Sequence, residues 1–285
     1  MKFIYKIPGP ILILMGSFFL SYGGIVVKSF EGADLWQIVF WRSIFCAMTI
    51  GIFLLITYKK KAVEKFKIAG FPGFVAGFFM SLSFSSYVFA MYHTTVANVN
   101  FIIPSQIIFL AMVGYFFLKE KISVYTLISI VLALSGILLM VGFSVSSEGF
   151  LGNMVALLIP ISFTALVTVV RKNPNVDMVP AMFIAGLLAA LYASLIVKSF
   201  YISPKDLFLA FFLGTFQIGL GFICLTIGSK STPAAIVGIF SLTEAILGPI
   251  WAWIFINEVP PLIVIIGGAI IMFSVLFQSF FARKS

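Results

Sequence analysis

Charged residues are scarce in this sequence, and their scarcity excludes a soluble globular protein. Of its 285 residues, only 9% are Asp, Glu, Lys or Arg, whereas 62% are hydrophobic. Soluble domains carry roughly a quarter charged residues. A bilayer core about 30 Å thick needs about 20 mostly apolar residues per helix, so the chain has room for about ten spans with short loops. This leaves no length for a soluble domain, and any chemistry must take place among the helices.

Residues that build disulfide frameworks and metal centres are scarce as well. The chain has two cysteines, Cys46 and Cys224, both inside apolar runs, and one histidine, His93. Two isolated thiols form neither a disulfide framework nor a metal site. The sequence also lacks a Walker A motif, a nucleophile elbow and a Cys/His metal spacing. We therefore expect no cofactor, no bound metal and no catalytic residues.

Apolar runs between charged or Pro/Gly breaks predict an all-α integral membrane protein with ten transmembrane helices. The loops between these runs are short, and the longest polar stretch extends from Tyr58 to Lys67. Short loops require successive helices to run antiparallel, because a few residues cannot recross the bilayer. The predicted spans are 8–27, 35–57, 68–91, 96–118, 122–143, 150–170, 177–199, 206–228, 233–256 and 261–281.

The basic residues fall mostly on one side of the predicted membrane. With the N-terminus inside, fourteen of the eighteen Lys and Arg residues lie on the cytoplasmic side. Only Lys28, Lys198 and Lys205 lie outside, and Arg42 is within a span. Cytoplasmic loops carry an excess of Lys and Arg. We therefore predict a multi-pass protein of the cell inner (plasma) membrane with both termini cytoplasmic, and we attribute the net charge of +9 to these loops rather than to nucleic-acid binding.

The two halves of the sequence resemble each other at an offset of 138 residues. Residues 96–120 align with residues 234–258, and each segment opens with a small residue, carries one polar residue in mid-span and ends in Glu. The first segment ends inside and the second outside, an inversion that an odd number of helices per repeat requires. The sequence therefore predicts two inverted five-helix repeats, 1–145 and 146–285, with a substrate site near the midplane between them.

Two ionisable residues lie deep in predicted spans. Glu244 is about eleven residues into its helix, roughly 16 Å deep, where an acid costs several kcal/mol unless it is protonated, hydrogen-bonded or facing water. It is either a substrate or proton site, or a protonated residue that hydrogen-bonds a neighbouring helix. Gln106, its repeat partner, lies at a similar depth and fits a cavity-lining role and a structural hydrogen-bonding role equally well. Arg42, about 10 Å deep, must pair with an acid, a carbonyl or a substrate carboxylate.

These residues and nearby polar or aromatic residues form the predicted substrate site. An acid at the midplane and a base nearer the outside fit the two ends of a zwitterion. The pair could instead form a structural bridge, or an organic cation could use the acid alone. The predicted substrate-binding residues are Glu244, Gln106, Arg42, Trp41, Tyr22, Tyr87 and Gln217.

Several motifs occur in the order and spacing of a known family. They are Gly16-Ser17-Phe18-Phe19 with Lys28, Phe40-Trp41-Arg42, Gly149 with Phe163 and Arg171-Lys172, and Phe240-Ser241-Leu242-Thr243-Glu244 with Asn257-Glu258. With these motifs the whole chain resembles the EamA family of the drug/metabolite transporter superfamily. One departure is Gln106, where the family commonly has Glu, so only one half keeps the acid. The resemblance implies ten helices in two five-helix repeats and small organic substrates such as amino acids or their derivatives, most often exported.

Besides a receptor or channel, which ten spans in a two-fold repeat suit poorly because a channel is more often a symmetric oligomer with a filter motif or a charged ring, two classes of function fit the sequence. The first is a secondary transporter of a small polar metabolite (an amino acid, an amino-acid derivative or a related amine or zwitterion), working as an exporter by alternating access. The second is an integral membrane enzyme acting on a lipid-linked or small substrate. Enzymes that handle phosphorylated lipids need clustered acids to hold a metal, and Glu244 is the only acid deep in a span. We therefore predict a transporter and no enzyme.

The expected partners are the metabolite, the lipid bilayer and either a proton or an exchanged solute. The chain is expected to be a monomer or a homodimer. The sequence does not determine the exact substrate or the transport direction. It also does not determine whether transport uses proton coupling, exchange or facilitated diffusion, or which of the two oligomeric states is adopted.

Overall fold

A computed structural model describes residues 2–93, 99, 102–141, 150–256 and 262–281. Within these ranges the secondary structure is helical, and they contain no β-strand. The α-helices are α1 (Gly9–Ser21), α2 (Gly23–Lys28), α3 (Leu35–Tyr58), α4 (Ala62–His93), α5 (Gln106–Phe116), α6 (Val124–Val141), α7 (Phe150–Ala156), α8 (Leu158–Lys172), α9 (Val179–Ile196), α10 (Pro204–Phe212), α11 (Gly221–Ser229), α12 (Ala234–Ser241), α13 (Thr243–Ile256) and α14 (Leu262–Phe281).

Six helical stretches among the described residues are long and apolar enough to cross a membrane. They are Gly9–Lys28, Leu35–His93, Phe150–Lys172, Val179–Ile196, Pro204–Ser229 and Ala234–Phe255. Three shorter apolar helices accompany them, at Ile103–Phe116, Val124–Gly136 and Ile265–Gln278. The prediction of an all-α, multi-pass membrane protein is confirmed. The count of ten spans stays a prediction, and residues 94–98, 142–149 and 257–261, which contribute to several predicted spans, lie outside the described residues.

The stretch Leu35–His93 is 59 residues long, about three times what one crossing needs. In the polar segment from Tyr58 to Lys67, α3 ends before Lys59, whose φ of 51° and ψ of −128° are not helical; Lys59–Lys61 form a 3₁₀ turn and α4 begins at Ala62. A second departure from helical geometry lies at Gly70, whose φ is 51° and ψ −147°. Glycine tolerates this left-handed φ because it has no Cβ.

Small residues bring the central helices together. Helix α9 packs against both α3 and α4, and its Ala181, Ala185, Ala189 and Ala193 are fully buried. In membranes, where apolar burial between helices gives little driving force, such small side chains allow the close approach that van der Waals packing needs. Large apolar side chains such as Leu195 and Phe71 are exposed on the outside of the bundle, where lipid would cover them.

Several of the membrane-length helices are broken near their middle. Helices α1 and α2 meet at Tyr22, α7 and α8 at Leu157, and α12 and α13 at Leu242. A 3₁₀ turn, Ile103–Ser105, precedes α5, and a π-helical stretch, Leu213–Leu220, separates α10 from α11. Irregular backbone at membrane depth is tolerated only where protein buries it or where it lines a cavity. The breaks therefore mark the part of the fold where a cavity is expected.

Helices from the two halves of the chain pack against one another. The contacting pairs are α3 with α9, α5 with α12, α6 with α14, α1 with α11, α4 with α8, α5 with α8, α1 with α12, α4 with α9, and α3 with the π-helical stretch. The bundle is therefore held together by contacts between its halves as well as within them.

Candidate functional site

A cavity with an empty volume of about 530 Å³ lies among the broken helices. A smaller cavity of about 230 Å³ shares Ile103, Gln106, Ser241 and Glu244 with it. An apolar wall with a few convergent polar groups is typical of small-molecule sites. The lining residues of the larger cavity are Leu20, Arg42, Ser83, Phe84, Tyr87, Ile103, Gln106, Ile159, Phe163, Gln217, Ile218, Phe222, Leu225, Ser241 and Glu244.

Many of these lining residues form pairs at the sequence offset of 138. The pairs are Phe84 with Phe222, Tyr87 with Leu225, Ile103 with Ser241, and Gln106 with Glu244. Three polar residues have no such counterpart, because the offset pairs Arg42 with Pro180, Ser83 with Gly221 and Gln217 with Phe79, and none of these three partners lines the cavity. Several positions of the cavity wall are thus shared by the two halves, including that of Glu244, whereas the Arg42 guanidinium group and the Gln217 amide each come from one half alone.

Glu244 stands in the first turn of α13, directly after the break at Leu242. Its side chain lines both cavities, and the described residues provide it with no ion-pair partner within 4.0 Å. Tyr87 lines the larger of these cavities as well. The first turn of a helix stabilises a negative charge through its free N–H groups and its dipole. The carboxyl group therefore stands at the cavity wall without an ion-pair partner among the described residues.

Arg42 is the most deeply buried charged side chain of the cavity, with 1% of its surface exposed. Its Nη2 donates a hydrogen bond to the Phe84 carbonyl at 2.5 Å, and its guanidinium carbon lies 5.6 Å from the centre of the Tyr87 ring. Nε and Nη1 have no partner among the described residues. No ion pair joins Arg42 to Glu244. A buried guanidinium with two unused donors costs free energy that a bound anion would offset.

The π-helical stretch contributes the third polar group. Gln217 is 2% exposed, and its Nε2 donates to the Leu20 carbonyl at 3.5 Å, the long limit of a hydrogen bond. Its Oε1 is buried and has no partner among the described residues. Turns of π-helix inside α-helices occur frequently at functional sites.

Five of the seven predicted site residues line the cavity: Glu244, Gln106, Arg42, Tyr87 and Gln217. The other two lie elsewhere. Tyr22 stands at the break after α1, with its ring 5.3 Å from Phe212. Trp41 donates from Nε1 to the Phe200 carbonyl at 2.8 Å. Successive helical side chains point in different directions, so the position of Trp41 beside Arg42 in sequence does not place it in the cavity.

Sequence reasoning missed the serines and most of the phenylalanines of the wall. Ser241 lies three residues before Glu244, and this helical spacing could have identified it. The Phe222 ring packs 5.3 Å from that of Phe84 and 6.4 Å from that of Phe163. With 34 Phe in the chain, no sequence signal separates these three from the others. In the described ranges, no group of three or more His, Cys, Asp or Glu side chains is placed to hold a metal ion.

An ion pair ties the far ends of three cavity-lining segments. Arg171, in the last turn of α8, contacts Glu120 Oε1 from Nε at 2.7 Å and from Nη2 at 2.6 Å. Glu120, which follows α5, also accepts a hydrogen bond at Oε2 from the Ala234 backbone N–H, 2.7 Å away at the start of α12. Arg171 Nη1 donates to the Lys230 carbonyl at 3.1 Å. The ends of α5 and α8 and the start of α12 are thereby held together.

Broken apolar helices around a buried cavity with a few polar groups are the arrangement of a membrane transporter. The chain belongs to the EamA-like transporter family, whose profile matches residues 7–142 and 150–280. The resemblance drawn from the sequence motifs is thereby confirmed.

Two relatives are the pseudopaline exporters CntI from two strains of Pseudomonas aeruginosa, UCBPP-PA14 and PAO1. Each is 25% identical over 271 residues, which cover 93% of this chain and 93% of the relative. A protein of known crystal structure matches the fold with a TM-score of 0.80 at 15% identity, over 97% of this chain and 98% of the other. At this identity the match establishes the fold alone.

Proposed function

We propose that this protein is a secondary transporter that exports a small polar metabolite, with the cavity as its binding site. In this proposal ten spans form two inverted five-helix repeats, residues 1–145 and 146–285, and both termini lie in the cytoplasm. The lining residues that pair at the sequence offset of 138 support the two repeats. The profile match, divided between 142 and 150, supports the boundary. A cavity between two such halves opens to each side in turn when the halves rock against each other.

The observation that carries the proposed substrate class is that an acid and a base line one cavity without pairing. Glu244 would bind an ammonium group, and Arg42 would bind a carboxylate through the donors that are now unused. An organic cation would satisfy Glu244 but leave Nε and Nη1 of Arg42 unpartnered. The proposed substrate is therefore a zwitterion, an amino acid or an amino-acid derivative, whose remaining part packs on the phenylalanines of the wall.

Export is the proposed direction because the two named relatives are exporters and because the family resemblance implies substrates that are most often exported. The driving force would be a proton gradient or exchange for another solute. A carboxyl group can bind either a proton or an ammonium group, so Glu244 is the proposed residue for such coupling.

The test measures efflux from liposomes loaded with a panel of labelled amino acids. Glu244→Gln should lower efflux of amine-bearing substrates at least tenfold while leaving expression intact. The matched control is Glu64→Gln, which makes the same chemical change at an exposed position of α4 and should transport normally. The substrate should be recovered unchanged, and a transformed product would identify an enzyme instead. Normal efflux by Glu244→Gln would refute both the substrate site and proton coupling through this residue.

A charge exchange separates a substrate-binding pair from a structural bridge. If Arg42 and Glu244 pair only with each other in another state of the transporter, combining Arg42→Glu with Glu244→Arg should restore folding and much of the transport. If they bind opposite ends of the substrate, the double variant should stay inactive, because neither side chain then faces a group of opposite charge. Recovery of transport in the double variant would contradict the proposal.

A further inference from the structure

The π-helical stretch lies directly on the backbone that carries Arg42. A Cβ added at Gly214 would lie 2.3 Å from the Arg42 carbonyl oxygen, so only glycine permits this approach. Three residues later in the same stretch, Gln217 reaches the cavity from the opposite half of the sequence. The stretch therefore places a neutral amide in the same cavity as the guanidinium group.

The orientation of the Gln217 amide follows from its neighbour. The Leu20 carbonyl oxygen only accepts hydrogen bonds, so the amide must turn Nε2 towards it, as observed at 3.5 Å. The reverse orientation would bring two oxygens together. Among the described residues, Oε1 is thereby left buried without a donor, and such an unsatisfied acceptor is costly. Because Gln217 lines the cavity, a group bound there is placed to supply the donor.

Gly23 makes the space that this amide occupies. A Cβ at this position would lie 2.0 Å from Gln217 Nε2, 2.7 Å from its Cδ and 3.0 Å from the Tyr87 hydroxyl. Gly23 is the first residue of α2, directly after the break at Tyr22. The broken helix, the amide and the Tyr87 side chain thus meet at one point, and any larger residue at 23 would displace the amide.

We propose that Gln217 Oε1 accepts a hydrogen bond from a donor group of the substrate beyond its ammonium and carboxylate ends, and that Gly23 is the positioning residue for this contact. The inference rests on the proposed function, since it concerns the same cavity. It narrows the substrate to a zwitterion that carries an additional N–H or O–H group. A substrate without that donor leaves Oε1 unsatisfied and is bound less tightly.

Three amino acids test whether the extra donor group is recognised, because they differ only in the group at the end of the side chain: L-ornithine, L-5-hydroxynorvaline and L-norvaline. They share one carbon chain and end in an ammonium, a hydroxyl and a methyl group, respectively. The wild type should prefer L-ornithine and L-5-hydroxynorvaline over L-norvaline by about tenfold or more in apparent affinity for efflux. Gln217→Met, which keeps the length of the side chain but removes the acceptor, should reduce this ratio to near one.

A double-variant cycle tests the role of Gly23. Gly23→Ala should reduce the same ratio, because the new methyl group displaces the amide. Adding Gly23→Ala to Gln217→Ala should have little further effect, because the displaced side chain is then absent. Gly268→Ala, where no atom lies within 4 Å of the added Cβ, is the control for an alanine in a membrane helix and should keep the wild-type ratio.

The results distinguish failure of this inference from failure of the proposed function. The inference is overturned if the wild type does not prefer the probes with the extra donor, if Gln217→Met keeps the preference, or if the effects of Gly23→Ala and Gln217→Ala add independently. The proposed function fails by a separate result, namely that none of the three probes is transported, or that L-norvaline efflux is unchanged in Glu244→Gln.

Discussion

Neutralising Glu120 tests how firmly the ends of the cavity-lining helices are held. Its carboxylate receives three donors, two from Arg171 at 2.6 and 2.7 Å and one from the Ala234 backbone at 2.7 Å. Glu120→Gln keeps one acceptor oxygen and turns the other into an NH₂ group. That NH₂ group must face either the guanidinium group or the start of α12, both of which are donors. The variant therefore loses the ion pair and leaves at least one donor unpaired.

The magnitude follows from the burial of the pair. Hydrogen bonds to charged groups contribute about 1.5–3 kcal/mol, and exposed ion pairs contribute less than about 1 kcal/mol. The Arg171 and Glu120 side chains are 22% and 13% exposed, which is closer to the buried case. We expect Glu120→Gln to lower the free energy of unfolding by about 1.5–3 kcal/mol. For a chain of this size, that corresponds to a fall of about 5 °C in the midpoint of thermal unfolding.

The assay is thermal unfolding of the purified protein in detergent, followed by intrinsic tryptophan fluorescence. The control is Glu31→Gln, which removes the ion pair between Lys205 and Glu31, whose side chains are 56% and 70% exposed. Solvent screens that pair, so its loss should leave the midpoint unchanged. An unchanged midpoint in Glu120→Gln, or equal shifts in the two variants, would refute the claim that Glu120 holds these helix ends together.

Three further predictions concern packing, a loop and topology. Gly214→Ala should destabilise the protein by about 1–3 kcal/mol in the same unfolding assay, because its Cβ would overlap the backbone of α3, whereas Gly268→Ala should not. The Asp206 side chain is 1% exposed, and its carboxylate accepts hydrogen bonds from the backbone N–H groups of residues 31–33 at 3.0–3.2 Å. Asp206→Ala should therefore lower the unfolding midpoint and speed proteolysis between α2 and α3. Unchanged proteolysis would contradict this role. Cysteines introduced at Ser146 and Lys60 should be labelled from the outside and the inside, respectively, and equal labelling of both from outside would exclude the proposed orientation.

The polar residues of the site were largely predictable because polarity is rare in this sequence. Glu244, Arg42, Gln106 and Gln217 are conspicuous against an apolar background, where each carries a desolvation cost. Tyr22 and Trp41 were chosen by the same reasoning, yet neither is among the residues that line the cavity. Aromatic side chains are common throughout the chain, and their direction depends on helix rotation, which the sequence does not specify.

The sequence by itself determined that this protein lies in a lipid bilayer and which broad class of protein it is. Its low charge and long apolar runs require membrane helices, and its motifs are those of the family that the profile match confirms. Those properties depend on composition and on local order along the chain, so they can be read without a fold.

Only the tertiary structure decided which groups meet. It placed Arg42 and Glu244 in one cavity without an ion pair between them, and it set the Gln217 amide against Gly23 with no donor for Oε1 among the described residues. These relations join residues about 200 positions apart in the sequence. They depend on where helices break, on how closely glycine lets them approach and on how each helix is rotated, and packing between helices sets all three.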